Sequence, residues 1–241
     1  MMRSSEMTLR SKTVDVVNGI SSMAMRAVLA ELADAYTLRS GQRVEIVSVG
    51  GVDAARRINE GEAFDFVVLA ADTIAQLAAD GRVDRASQTD LARSNVAVAV
   101  SAGATPPDIS SEAAVRDIVL RARSIGYSTG PSGAHLARLF ERWGIADEMS
   151  PRIVIAPPGV PVATLIARGD AEIGFQQFSE LMNVPEIDIV GLLPADIQAI
   201  TVFSAAVCSA SKYPEIAMAL LSYLASPQAD AAKRRHGMEP A

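Results

Sequence analysis

Short apolar runs along the chain alternate with stretches whose apolar positions recur at helical spacing: 13–20 then 24–38, 43–49 then 52–60, and 64–70 then 73–80. A short continuous apolar run reads as a buried strand and a 3.6-residue period as an amphipathic helix. Successive β-then-α units therefore predict a parallel or mostly parallel sheet with helices on both faces. Within 24–38 the stripe Met25, Val28, Leu29, Leu32 and Tyr36 marks the side that packs on the core. The alternating Val-Ala-Val-Ala-Val at 96–100 breaks the rhythm, flanked by Ser94-Asn95 and by a loop at 101–111 containing Pro106 and Pro107. It reads as a segment crossing between domains. The units then resume as helix 112–122, strand 124–128, helix 133–143, strand 153–156, helix 160–167 and strand 172–175. A strand at 199–207 and helices at 214–224 and 227–235 close the chain. That order predicts an α/β protein of two lobes, with 1–95 and 205–241 forming one lobe and 96–204 the other. Ligands of open α/β sheets bind at the C-terminal ends of the strands, so the cleft between the lobes is the expected site.

The strand-to-helix junctions carry the chemistry. Residues 127–137 read Tyr-Ser-Thr-Gly-Pro-Ser-Gly-Ala-His-Leu-Ala, a strand end, a loop of hydroxyls and glycines, and the first turn of a helix. The first turn of a helix presents unpaired N–H groups and a partial positive charge, so small residues and hydroxyls there make a socket for an anion without a charged side chain. The junctions at 16–25 (Val-Val-Asn-Gly-Ile-Ser-Ser-Met-Ala-Met) and 47–54 (Val-Ser-Val-Gly-Gly-Val-Asp-Ala) are built alike. One such loop is what any junction needs for its turn and cap; recurrence in one chain points to a shared site.

Composition narrows the classes. With 241 residues and 49% hydrophobic content, the chain builds one large or two medium cores. A net charge of −6 and the lack of a basic stripe argue against nucleic acid. The basic cluster at 233–235 and His236 read as a solvated helix end. The single cysteine, Cys208, lies in an apolar run and reads as core, with no disulfide or zinc site. No apolar stretch is long enough to span a bilayer, so no direct membrane insertion is expected. Residues 1–12 carry Arg3, Arg10 and Lys12 without the apolar run of a secretory leader. The chain as written reads as cytoplasmic, or as periplasmic if a leader precedes it or the start is misassigned. There is no phosphate-binding Gly-x-x-x-x-Gly-Lys loop and there are no clustered histidines. Nucleotide and metal chemistry are thereby disfavoured, and no cofactor or metal is expected.

The ordered pieces resemble a known family. Ile20-Ser21-Ser22-Met23, Val49-Gly50-Gly51-Val52, Phe64-Asp65-Phe66-Val67-Val68 running to Ala71-Asp72, Arg93-Ser94-Asn95, Pro131-Ser132-Gly133-Ala134-His135, Ala171-Glu172-Ile173-Gly174 and the 227–241 ending cover nearly the whole length. The chain is similar to type II periplasmic binding proteins of the molybdate-binding kind, the solute-capturing components of ABC importers. The resemblance implies two α/β lobes holding a small anion between them with neutral hydroxyl and N–H donors, and an importer membrane subunit as partner. The ligand-contacting positions it implies are Ser21, Ser22, Met23, Gly50, Gly51, Ala70, Ala71, Ser128, Ser132, Gly133, Val160, Gln176 and Gln177. Two departures stand out: Gly51 where the family offers a serine and Gln177 where it offers a tyrosine, while Ser21, Ser22 or Ala24 takes the first-loop serine's place. Residues 132–137, 141–148, Gly174-Phe175-Gln176-Gln177 and 237–241 resemble more closely the branch that includes an aconitate isomerase.

The expected function is capture of a small anion, with an organic carboxylate ahead of molybdate; the alternative is an aconitate-type isomerase in the same cleft. For the isomerase, His135 in the first turn after the strongest anion loop is the candidate base, against a surface histidine. Arg26 and Arg56, one turn into the helices of the first two loops, are candidate carboxylate partners, against solvent-facing positions. Gln176 and Gln177 end a strand on opposite faces, so one is expected to enter the cleft. Val160 or Val162, after Pro157-Pro158-Gly159, is expected to turn a main-chain N–H to the ligand.

Overall fold

A computed structural model describes residues 16–241. The expected strand start at 13–15 and the basic segment at 1–12 lie outside the described residues. The first units are β1 (Val16–Ser22), α1 (Arg26–Ser40), β2 (Arg43–Val49), α2 (Gly51–Asn59), β3 (Phe66–Ala70) and α3 (Ala71–Ala79). The long β4 (Thr89–Ser101) follows, then α4 (Glu112–Arg121), β5 (Ile125–Tyr127), α5 (Pro131–Arg142), α6 (Ala146–Met149), β6 (Ile153–Ile155), α7 (Val162–Ala167), β7 (Ile173–Gln177) and α8 (Phe178–Leu181). The chain ends with β8 (Ile187–Leu192), β9 (Ile200–Val207), α9 (Pro214–Ala225), α10 (Asp230–Arg235) and β10 (Glu239–Pro240).

The strands join in the order β2-β1-β3-β9-β4-β7-β5-β6, with β8 and β10 also on β4. β1 runs parallel to β2 and β3, and β5 parallel to β6 and β7, as the β-then-α rhythm requires. β4 and β9 are antiparallel to their neighbours and bind the two parallel groups together. β4 pairs with β9 through residues 89–95 and with β7 and β8 through residues 96–101, so one strand serves both lobes. The crossing strand therefore begins well before the 96–100 segment that stands out in the sequence. β8 has no counterpart among the expected elements; its pairing is entirely with β4, far away in the chain.

The cores follow the same partition. One apolar cluster draws on residues 17–92 and 203–238, another on 96–199. The return from the second lobe thus comes early in β9, ahead of the expected 204/205 boundary: Phe203 already belongs to the first cluster and pairs in register with Ala70 of β3. Fully buried phenylalanines such as Phe66, Phe175 and Phe203 each stabilise the fold by about 2–3 kcal/mol through lost apolar surface. The α1 stripe Met25, Val28, Leu29 and Leu32 is buried, and Tyr36 stacks on Tyr223 at 5.3 Å between ring centroids. Asp65, 6% exposed, accepts the Asn18 N–H through Oδ2 and the Ser211 hydroxyl and Lys212 N–H through Oδ1, tying β1 to the segment after β9. Cys208 is buried, and burial with the nearby Asp65 charge pushes its thiol up to about 12.

Two surface expectations fail at the C-terminal end. Lys233 is buried, its ammonium 3.5 Å from Asp230, because α10 packs that side against the α1 region instead of water. His236 is half-buried, with Nε2 2.9 Å from Glu31 Oε2. The Arg235 hydrogen bond, and then that of His236, hold the Glu31 carboxyl below its usual range.

Candidate functional site

A cavity of about 490 Å³ opens between the lobes where the expected loops meet. From the first lobe it is lined by Ser22, Met23, Gly50, Gly51, Ala70 and Thr73. From the second come Ser128, Ser132, Val160, Gln176, Gln177 and Glu180. Six helical segments begin on its wall, after Ser22, Gly50, Ala70, Gly130, Pro161 and Gln177, and at none does the preceding side chain cap the helix. Away from the cavity, Ser111 and Asp84 cap their helical turns, accepting from Ala114 and Ala86, while α1, α6, α9 and α10 also start without a side-chain cap. First-turn donors left without caps are the backbone's own anion receptors, and here α2 and α3 face α5 across the cleft. At α5 the approach is tight: a Cβ on Gly133 would stand 1.6 Å from the Ser128 carbonyl oxygen, so only glycine lets the helix start so close to the end of β5.

One register step separates the two serines of β1. Ser21 is fully buried and bonds to the Ser48 hydroxyl at 2.9 Å, facing β2, whereas Ser22 lines the cavity with its buried hydroxyl unpartnered. Alternation of side chains along a strand gives the two residues opposite faces. Ala71 and Gly133 are absent from the cavity lining: Ala71 sits in the first turn of α3, and Gly133 is buried under the Ser128 carbonyl.

Both glutamines reach the cavity, where one was expected. β7 ends at Gln177, and the chain turns straight into α8. Gln176 Oε1 accepts the Val162 N–H at 2.9 Å, and its Nε2 donates to Glu180 Oε2 at 2.7 Å. Gln177 Nε2 donates to the Thr201 hydroxyl at 2.8 Å, and its buried Oε1 has no partner. The expected main-chain donors of the proline-rich loop are spent within the protein, Val160 N–H on the Pro157 carbonyl and Val162 N–H on Gln176.

Glu180 is the residue that sequence reading missed. It lines the cavity half-buried, no cation among the described residues pairs with it, and burial pushes its carboxyl up to about 7 against the opposing Gln176 hydrogen bond. Its signal was faint: one acid on a four-residue helix, three positions after a strand-ending glutamine. His135 is not among the cavity-lining residues; its Nε2 lies 2.7 Å from the Ile197 carbonyl, a partner 62 residues away. Arg26 is exposed and also outside the lining. Arg56 does line the cavity, at the rim, with its guanidinium paired to Asp53 and Glu60.

A larger cavity, about 710 Å³, lies wholly in the second lobe beside α4. Its arginines are paired, Arg121 with Asp117 and Arg123 with Glu172, and no helix starting on it lacks a cap. The interlobe cavity is the one the architecture equips to hold a ligand. Among the described residues no helix is long and apolar enough to cross a membrane.

Residues 17–239 match the family described as bacterial extracellular solute-binding protein. An aconitate isomerase from Pseudomonas sp. is 37% identical over 238 residues, covering 96% of this chain and 90% of that protein. Among solved structures, the periplasmic molybdate-binding protein of Azotobacter vinelandii superposes with a TM-score of 0.76 at 20% identity, covering 92% of this chain and 98% of that one. The sulfate-binding protein of Mycobacterium tuberculosis superposes at 0.75 with 18% identity, covering 94% and 87%.

Proposed function

The chain belongs to the bacterial extracellular solute-binding protein family, and on that premise we propose that its two lobes close on a small organic polycarboxylate. The observation that carries this reading is the set of uncapped helix starts of α2, α3 and α5 on opposite walls of one cavity, beside the unpartnered Ser22 hydroxyl and with one cationic side chain, Arg56, at the rim. Donors of this kind hold carboxylate oxygens without a fixed counter-charge. A carbon skeleton is favoured over a bare tetrahedral oxyanion by the cavity's size, and by its Met23, Leu69, Val160 and Phe203 walls. A receptor of this kind delivers its solute to the membrane subunits of an ABC importer, outside the cytoplasmic membrane; the family's extracellular description supports that placement.

A second reading has its own support. The 37% identical relative is an aconitate isomerase, and Glu180 sets a proton-exchanging group in the wall of an otherwise donor-rich cleft. In that reading the cleft binds aconitate and moves a proton on it.

Titration calorimetry of the purified chain against citrate, cis-aconitate, trans-aconitate, molybdate and sulfate tests the ligand class. Binding of the tricarboxylates is expected. Binding of molybdate or sulfate with no response to any carboxylate would refute it.

A further inference from the structure

The cleft holds one ionisable group that a receptor for anions does not need. Every other polar feature of its wall is a donor or a neutral hydroxyl or amide, whereas Glu180 is a carboxyl. An ionised carboxylate there repels the guest that the helix starts attract. Its position is also fixed with care. The Val162 N–H occupies Gln176 Oε1, which orients the Gln176 amide so that its NH₂ faces Glu180 Oε2 at 2.7 Å. Among the described residues Oε1 of Glu180 has no hydrogen-bond partner, so the carboxyl is held there by one oxygen, Oε2.

From this geometry we propose that Glu180 is the catalytic acid–base group of an isomerisation, carrying a proton between two carbons of a tricarboxylate held in the cleft. The proposal rests on the second reading above. The Glu180 carboxylate takes a proton from the methylene carbon that lies between a carboxylate and the double bond. The C–H electron pair spreads over the three-carbon allylic unit and into its carboxylates, which the helix starts stabilise. Neutral Glu180 then returns the proton to the far carbon of that unit, the double bond moves by one position, and the Glu180 carboxylate is regenerated. One proton leaves and one returns, so no oxidant, reductant or further reactant is required.

The electrostatic surroundings suit the task. α8 packs against β4, β7, β8, α7 and the 3₁₀ turn Met23–Met25. β7, α7 and that turn carry no ionisable side chain. On β8, Asp188 accepts the Gly103 N–H, and on β4, Asp90 accepts the Ser204 hydroxyl and Arg93 lies in the part paired with β9 and β10. Arg56, the other ionisable residue lining the cavity, is engaged by Asp53 and Glu60. With no cation among the described residues paired to it, burial brings the carboxyl to about 7, where a general base both accepts and returns a proton readily.

The test follows cis- and trans-aconitate by NMR in deuterium oxide with the full chain and with Glu180→Gln and Glu180→Asp, each first checked for binding by calorimetry. Wild type is expected to interconvert the isomers and to exchange their methylene hydrogens. Glu180→Gln is expected to bind near the wild-type affinity while turnover falls at least about 100-fold, the lower end of what general acid–base catalysis contributes; Glu180→Asp should recover part of it. Wild-type kcat/KM should rise with pH through about 7, as the base ionises. Turnover by Glu180→Gln close to wild type overturns the role of Glu180 and leaves the isomerase reading standing. A wild-type chain that binds aconitate with neither turnover nor exchange overturns both. If Glu180→Gln fails to fold, a wild-type profile without an inflection near 7 overturns the proposal by itself.

Discussion

Glu180 makes a prediction about stability that does not depend on any ligand. Its carboxyl titrates at about 7 in the folded protein, against 4.5 for the unperturbed group, because burial penalises the charged form. The folded pKa is the higher one, so the group's stabilising contribution is complete below about pH 4.5 and is lost as pH rises through about 7. At about 1.4 kcal/mol per unit, the whole difference is worth about 3 kcal/mol, most of it falling between about pH 5 and pH 8.5. For a chain of this length that corresponds to roughly 5–10 °C in melting temperature. Glu180→Gln keeps an acceptor for the Gln176 amide and removes the titration. The assay is urea unfolding of wild type and Glu180→Gln across that range, taking the difference between them so that other titrating groups cancel. The variant should gain on wild type steadily as pH rises. Parallel curves would show that the Glu180 carboxyl is solvated in the folded protein, and the argument for its catalytic poise would go with it.

Gly133→Ala drives a Cβ into the Ser128 carbonyl and against Tyr127, where backbone cannot yield as a flexible side chain does; a loss of about 3 kcal/mol is expected, the upper end of ordinary overpacking. In the same denaturation series Gly51→Ala, whose nearest neighbour would be Leu69 Cδ2 at 4.0 Å, should stay close to wild type, and equal behaviour of the two would refute the close approach. Cys208 should resist maleimide labelling in the native state and react on unfolding, since it is buried with its thiol pushed up to about 12; rapid native labelling counts against the core placement. His135→Gln should leave both aconitate binding and any turnover near wild type, because the imidazole serves the Ile197 carbonyl outside the cavity, and a collapse of turnover with binding intact would return it to the site.

Local rules made much of this protein legible. The β-then-α rhythm, the α1 stripe and the hydroxyl-and-glycine junctions depend on periodicity and turn chemistry within a few residues, so the strands, the helices and the loops at Ser22, Gly51 and Ser132 could be read along the chain. Decisions that turn on a single step of register or on distant partners could not. Ser21 and Ser22 differ by one position and face opposite sides of β1. β8 exists because β4 offers it an edge, and the destination of His135 is a carbonyl on a segment 62 residues away. Glu180 looks like any surface acid until β7 and α8 carry it into the cleft wall, half-buried and with no ion-pair partner among the described residues. The amino-acid order by itself specified which segments become strands and helices, and where hydroxyl-and-glycine loops precede helix starts. Tertiary packing alone chose which side chains face the guest, because desolvation and long-range hydrogen bonding arise only once the two lobes enclose a common space.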